Sequence, residues 1–530
     1  MAPWHAAAWE LARQRAFWAD LSSAALLGLV GSWSLAWERL TVQNGPLAMF
    51  LSEGVSLVMF SQGLTAALLS ALNPVFARSA LGKAMLLYNA VGMAYHVRRT
   101  RSALASGPQL QAALAQQGGV RGMPDATWPM LASLLLPLQV LRGAWQLART
   151  GRVPAEGGIE RLASVPYAER DKIDPGLVAH NKVLTAQMKM LNTMTGRGRI
   201  AQWLTYDVVH DGVPGRAKPV LVYIHGGGWT VGDKMFAARA LVNYLAQHEG
   251  VVVCSVNYRL APEVSFPGQL HDLKRALWHI KQNVHTWGGD PAKVCVAGES
   301  AGGHLTALMA LTANNRAYDP PEFTGHEDTS VCCAVDIYGV HDLADSEGHH
   351  RSLDKQLKHA NRSKARITGL LESVVFRKSI AEDPEAFALA SPSHLLDAQL
   401  GSAVAAAAAA TNAPASEEDV RFEARVAEEV LSAADRLAAA SPNTGHICPF
   451  LVVHGTRDQL AAYDDSAAFF ERLVKIRKTT KSRVRDVFAA VSGGRHGFGY
   501  LPSPRSTSLA LAIGAWVRFH TSPAPSAARL

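Results

Sequence analysis

At 530 residues the chain has room for two or three domains of roughly 100–200 residues each. A composition that is 48% hydrophobic and 18% charged excludes an intrinsically disordered protein and demands a large core. The formal charge of +8 is a mild excess, and no run interleaves basic with aromatic residues, so nothing points to a nucleic-acid partner.

Residues 1–147 form an apolar region that reads as helical. Leu21–Trp37 and Gly54–Ala77 carry no charge. The second is long enough to cross a bilayer, which takes ~20 apolar residues, and the first is marginal. Neither run shows a polar face at helical spacing, which favours a transmembrane hairpin (about 21–37 and 54–77) over a soluble helical cap. Arg13 and Arg15 precede the hairpin, and Arg78 and Lys83 follow it. Positive charge at both ends predicts that both, and the catalytic domain with them, face the cytoplasm. Arg98, Arg99 and Arg101 beside an apolar stretch suit anionic lipid headgroups. Ala84–Val97 and Ala126–Leu141 are shorter and suit interfacial helices. Trp4, Trp9, Glu10, Trp18 and Asp20 before the first run do not make the short basic start of a cleaved signal peptide.

The polar stretch 148–199 reads as linker or cap, with a helix in it. From 200 to 522 the pattern changes to alternating strands and helices. Val220–Ile224, Val251–Val256, Val294–Ala297, Ala334–Tyr338, Phe450–Val453 and Val484–Val491 are short apolar or β-branched runs. Ala237–His248, Phe266–Asn283 and Ser466–Val474 have helical spacing. This alternation predicts an α/β fold with a mostly parallel, doubly wound sheet. The Ala- and Glu-rich segment 401–443 has little to bury and reads as an insertion, either an exposed helix or partly without fixed structure. Cys254, Cys295, Cys332, Cys333 and Cys448 form no C-x-x-C pair and read as small core residues of a reduced protein.

Chemistry is concentrated in four places. Gly298-Glu299-Ser300-Ala301-Gly302 lies between a strand and a helical run, the setting in which a sharp turn exposes a serine hydroxyl. His225-Gly226-Gly227-Gly228-Trp229 follows an earlier strand. Glycines there let backbone N–H groups turn toward an oxygen that gains charge, which assigns Gly227, Gly228 and Ala301 as oxyanion donors. A nucleotide-binding loop would need Lys-Ser/Thr after the glycines, and none follows. Asp458 stands just past a late strand, and His496 stands in a Gly-flanked loop after the last one. Ser300, Asp458 and His496 thus occur in the chain order of a nucleophile, its orienting acid and its base on such a sheet. Asp464 and Asp465 are rival acids, although the start of a helix is where acidic caps are common. His225 and His454 end strands and read as structural. His349-His350 reads as a solvated turn, with no third ligand at useful spacing for a metal. Asn257–Glu263 with Asp272 reads as a brace behind a strand.

At these residues the sequence resembles the hormone-sensitive-lipase-like branch of the α/β-hydrolases, and within it the membrane-anchored bacterial carboxylesterase/lipase and feruloyl-esterase-like group. The likeness rests on His225–Trp229 with Gly232-Asp233, Asn257–Glu263, Gly298–Gly303, Asp383-Pro384 before Ser391-Pro392, His454–Asp458 and His496-Gly497-Phe498. It covers nearly all of Ile200–His520 in order. Glu299 stands where the lipase branch often has Asp, which favours the feruloyl-esterase-like group. The resemblance implies an α/β-hydrolase fold and a cofactor-free carboxylic ester hydrolase, without metal, working through an acyl-enzyme. It also implies a pocket under cap elements, here the N-terminal segment and His341–Asp383. The expected substrate is a small-molecule or lipid ester. The same triad also serves amide, formamide and prenylcysteine methyl ester hydrolysis, and a non-catalytic scaffold is the reading from another class. The sequence leaves the oligomeric state open.

Overall fold

A computed structural model describes residues 102–120, 123–124, 160–169, 203–213, 217–234, 238–359, 367–411, 447–500 and 503–522. The two uncharged runs at 21–37 and 54–77 lie outside the described residues, as do most of 148–199 and of the insertion 401–443. Among the described residues no helix is long and apolar enough to cross a membrane.

In chain order the elements are α1 (Ser106–Gln116), β1 (Glu160–Glu169), β2 (Trp203–His210), β3 (Lys218–Ile224), α2 (Arg239–His248), β4 (Val252–Val256), α3 (Gly268–Asn283), β5 (Gly289–Glu299) and α4 (Ala301–Leu311). They continue with β6 (Ala334–Ile337), α5 (His349–His359), α6 (Ile367–Leu370, running into a π turn Leu371–Val375), α7 (Pro384–Leu389) and α8 (Pro392–Thr411). The last are β7 (Phe450–Gly455), α9 (Tyr463–Thr479), β8 (Val487–Val491) and α10 (Pro504–Thr521).

The strands form one eight-stranded sheet in the order β1-β2-β4-β3-β5-β6-β7-β8. The pairings β1–β2 and β2–β4 are antiparallel, and all the others are parallel. The central strands are apolar on both sides because both faces are covered. Val220, Val222 and Ile224 point into a core shared with Leu270, Leu277 and Phe469. Leu221 and Tyr223 of the same strand point into a second core with Leu245, Leu509 and Trp516. This period-2 division assigns α3, α4, α8 and α9 to one face and α1, α2 and α10 to the other. Helix α4 is enclosed on every side, its eleven residues all buried; it carries no polar stripe because it has no wet side.

The sheet edges differ from what the sequence pattern suggests. A strand, β1, lies within the stretch read as linker and helix. Its sequence, ERLASVPYAE, has no apolar run and contains Pro166, features that a strand tolerates only at an edge. The register slips twice against β2, between Leu162 and Val165 and between Pro166 and Ala168, as bulges at an edge do. At the opposite edge, α1 belongs to the apolar N-terminal region yet packs on β8 and α10. Leu110 and Leu114 are buried there. The Gln117 side chain acts as a short extra strand. Its Nε2 donates to Phe488 O at 3.1 Å, and its Oε1 accepts from Phe488 N at 2.8 Å. Helix α8 enters the Ala-rich segment as far as Thr411.

Candidate active site

The turn between β5 and α4 holds Ser300 at φ 55°, ψ −121°, a backbone conformation that L-residues rarely adopt. Its N–H donates to Ile337 O at 2.9 Å, which ties the turn to β6. Gly302 is required by close approach, since a Cβ there would collide with the carbonyl of Ile224 on β3. The glycine lets α4 lie directly on the strand, so its first turn sits at the carboxyl end of the sheet.

Three loops from that end converge on Ser300. His496, after β8, places Nε2 2.9 Å from Ser300 Oγ and Nδ1 2.8 Å from Asp458 Oδ2. Asp458, after β7, accepts on Oδ1 from the N–H groups of Leu460 and Ala461 at 2.8 and 3.0 Å. Burial by itself would raise the Asp458 pKa, but the facing His496 and the hydrogen bonds of His454 and His496 outweigh it and hold the carboxyl well below its usual range. The acid is therefore charged near neutral pH. The rival Asp465 is also buried, but it accepts from the backbone N–H of His341 and Asp342 at 2.7 and 3.1 Å, away from His496.

The glycine loop after β3 lies against the same turn. A Cβ on Gly226 would stand 3.2 Å from that of Ser300, and Gly227 and Gly228 have φ of 118° and 59°. Among the described residues none accepts from the N–H groups of Gly227, Gly228 or Ala301. Trp229 fixes the far end of the loop by donating from Nε1 to His304 Nδ1 at 3.0 Å, and His304 Nε2 donates to Ala390 O at 2.7 Å. Burial lowers the His304 pKa to about 4, so the ring is neutral with its proton on Nε2. His304 thus joins loop, nucleophile helix and α7, a role that no sequence motif announced. His225 stacks on Tyr258 at 4.5 Å, and the Tyr258 hydroxyl donates to His225 O at 3.0 Å. Arg259 braces the adjoining loop through a fork to Asp272, at 2.8 and 2.7 Å.

Glu299, next to the nucleophile, points away from it into the sheet. Its Oε2 accepts from the Tyr338 hydroxyl at 2.7 Å, and the Tyr338 ring lies 4.9 Å from that of His496. Burial pushes the Glu299 pKa up to about 7, against the lowering effects of Tyr338, His496 and Tyr223. His350 corrects the expectation of a solvated turn: it is buried, with Nε2 3.3 Å from Asp465 Oδ2, because α5 starts beneath the α9 loop. Among the described residues no three His, Cys, Asp or Glu side chains converge on a metal position.

A mostly parallel sheet with a serine turn after β5, an acid after β7 and a histidine after β8 is the α/β-hydrolase fold with a serine–histidine–aspartate arrangement. Residues 207–404 match the family described as BD-FAE, and the resemblance to hormone-sensitive-lipase-like and feruloyl-esterase-like α/β-hydrolases holds. The chain is 31% identical over 305 residues to esterase LipC of Mycobacterium tuberculosis, covering 58% of this chain and 59% of that protein. To the probable carboxylic ester hydrolase LipM of the same organism it is 29% identical over 297 residues, 56% of this chain and 53% of that one. A shorter stretch of 93 residues is 48% identical to arylacetamide deacetylase of Oryctolagus cuniculus, covering 17% of this chain and 23% of that protein. The chain thus spans about half the length of the curated relatives it matches first.

Proposed function

We propose that this chain hydrolyses carboxylic esters by two-step acyl transfer. The reading is carried by the hydrogen-bonded line Ser300–His496–Asp458 facing the glycine loop. His496 Nε2 takes the Ser300 proton as Oγ attacks the ester carbonyl carbon. Gly227, Gly228 and Ala301 donate to the carbonyl oxygen as it becomes an oxyanion, each worth about 100–1000-fold in rate. His496 then protonates the departing alcohol, leaving an acyl-Ser300. Water, activated by the same ring, attacks the acyl carbon and frees the acid. Asp458 holds the imidazole and offsets its transient positive charge.

The uncharged runs at 21–37 and 54–77 support anchorage in a membrane, with the catalytic part on the cytoplasmic side and a lipid-soluble ester as substrate. Recovery of the full chain in the soluble fraction after mild lysis would overturn the anchorage. The activity is tested with nitrophenyl esters from acetate to palmitate, alongside Ser300→Ala. We expect turnover that rises with chain length and is lost in the variant. The arylacetamide deacetylase likeness favours a second reading, amide cleavage on the same triad. Turnover of an aryl acetamide with none of any ester would select it.

A further inference from the structure

Behind the triad, the buried polar groups continue in an unbroken line. His454, the next-to-last residue of β7, has Nε2 3.3 Å from both Asp458 Oδ2 and Ala461 O. Its Nδ1 is 2.7 Å from Ser466 Oγ, and that hydroxyl is 3.4 Å from His341 Nδ1. His341 Nε2 in turn meets Asp336 Oδ2 at 2.5 Å. Asp336, His341, His454, Asp458, Ser466 and His496 are all buried, so water cannot satisfy these atoms in place of one another.

Acceptor chemistry orders the protons along this line. His454 Nε2 faces only a carboxylate and a carbonyl, so it carries a hydrogen. Ser466 then donates to Nδ1. With its proton so used, Ser466 Oγ presents lone pairs to His341 Nδ1–H. His341 donates its other N–H to Asp336. Flanked by Asp336 and by Asp465 at 3.6 Å, His341 keeps a proton on both nitrogens despite the cost of burial. From His341 Nδ1 through Ser466 to His454 the donors point toward Asp458, while the other His341 N–H points back to Asp336.

We propose that His454 is a positioning residue for the proposed hydrolysis. In this reading Asp336, His341 and Ser466 lock its tautomer, so that it presents an N–H to Asp458 and holds that carboxylate in line with His496. The inference rests on the ester-hydrolase reading for its substrate, but the arrangement governs any reaction of Ser300. The other ionisable groups facing this array are Asp465 and Tyr463 from α9, His350 from α5 beside Asp465, His304 from α4 near His341 and Asp336, and Tyr338 and Glu299 next to His496.

The test compares His454→Leu, His454→Gln and Ser466→Ala in the full chain. It follows nitrophenyl butyrate kinetics across pH and the rate at which a fluorophosphonate labels Ser300. Labelling needs the triad and no ester, so a wild type that labels but cleaves no ester refutes the function while still testing the positioning. Leucine removes the donor and lets Asp458 swing, which should lower kcat and the labelling rate about tenfold to a hundredfold while leaving KM within about twofold. A carboxylate with one donor fewer attracts the His496 proton more strongly, so the acid limb of kcat/KM should move to higher pH. Glutamine places an N–H near the position of Nε2 and should restore most of the rate. Ser466→Ala, which removes one oxygen, should move the limb the same way by less, and it carries the test if leucine prevents folding. Wild-type rates and limb in folded His454→Leu or Ser466→Ala, or equal losses in the leucine and glutamine variants with no shift of the limb, would overturn the proposal.

Discussion

The centre of the sheet and its two edges solve different problems. In the centre, β3, β5, β6 and β7 are buried on both faces and end in loops that carry Ser300 and Asp458. At the edges, β1 is half exposed and bulged, and β8 is closed by a helix and a glutamine side chain. The contrast teaches that position and stability are supplied separately here. Close backbone packing in the centre sets where Ser300 and Asp458 lie, while the edges chiefly keep the sheet from fraying or pairing with another chain, the β8 edge also carrying the His496 loop.

Substitutions can break that division, beginning with the largest effect. Gly302→Val drives a side chain into the Ile224 carbonyl and should lift α4 from β3. Hydrolysis should fall by more than about 100-fold, since misplacing the nucleophile by an ångström has that cost; near-normal turnover would show that the centre is more compliant than its packing implies. At the other extreme of function, Leu110→Ala in α1 should destabilise the protein by about 2–5 kcal/mol in a denaturant titration with kcat unchanged. A matching loss of kcat would mean that edge and centre are not separate.

Glu299 sharpens the comparison through pH. Its folded pKa of about 7 lies above the ordinary value of 4.5. The folded state thus holds a proton that the unfolded state releases earlier, so this stability is complete below about pH 4.5 and is lost as pH rises through 7. The total is on the order of 3 kcal/mol. Unfolding free energies at pH 5 and 8 should differ less in Glu299→Gln than in the wild type by about that amount; equal slopes would refute the buried neutral carboxyl. The smallest effect is expected of Gln117→Ala, which removes two hydrogen bonds at the β8 edge and should cost about 1 kcal/mol with activity intact, as thermal unfolding would reveal.

How far the sequence could be read follows the same division. The central strands were legible because a strand buried on both faces must be apolar throughout, and Ser300, Asp458 and His496 stand at strand ends with diagnostic turns. The β1 edge was not legible, since an edge strand needs no apolar run. Helix α1 was assigned with its apolar neighbours because composition does not tell a helix that packs on a sheet from one beside it. Among twenty histidines, His304 and His341 were indistinguishable from surface residues, and His454 read as structural without its partners, until the fold brought positions 304, 390 and 229, or 336, 341, 454 and 466, together. Such convergence leaves no local pattern to read.

The clasp between α1 and β8 also bears on how the chain can be shortened. Ser102 Oγ donates to Ser492 O at 2.9 Å, and Arg505 Nη2 donates both to that hydroxyl and to the same carbonyl, at 2.9 and 3.1 Å. These bonds grip the loop that carries His496. A truncation that begins at residue 102 keeps the grip. One that begins past residue 120 loses the Ser102 and Gln109 bonds and leaves Arg505 alone on the loop holding the base, although every residue of the triad is still present.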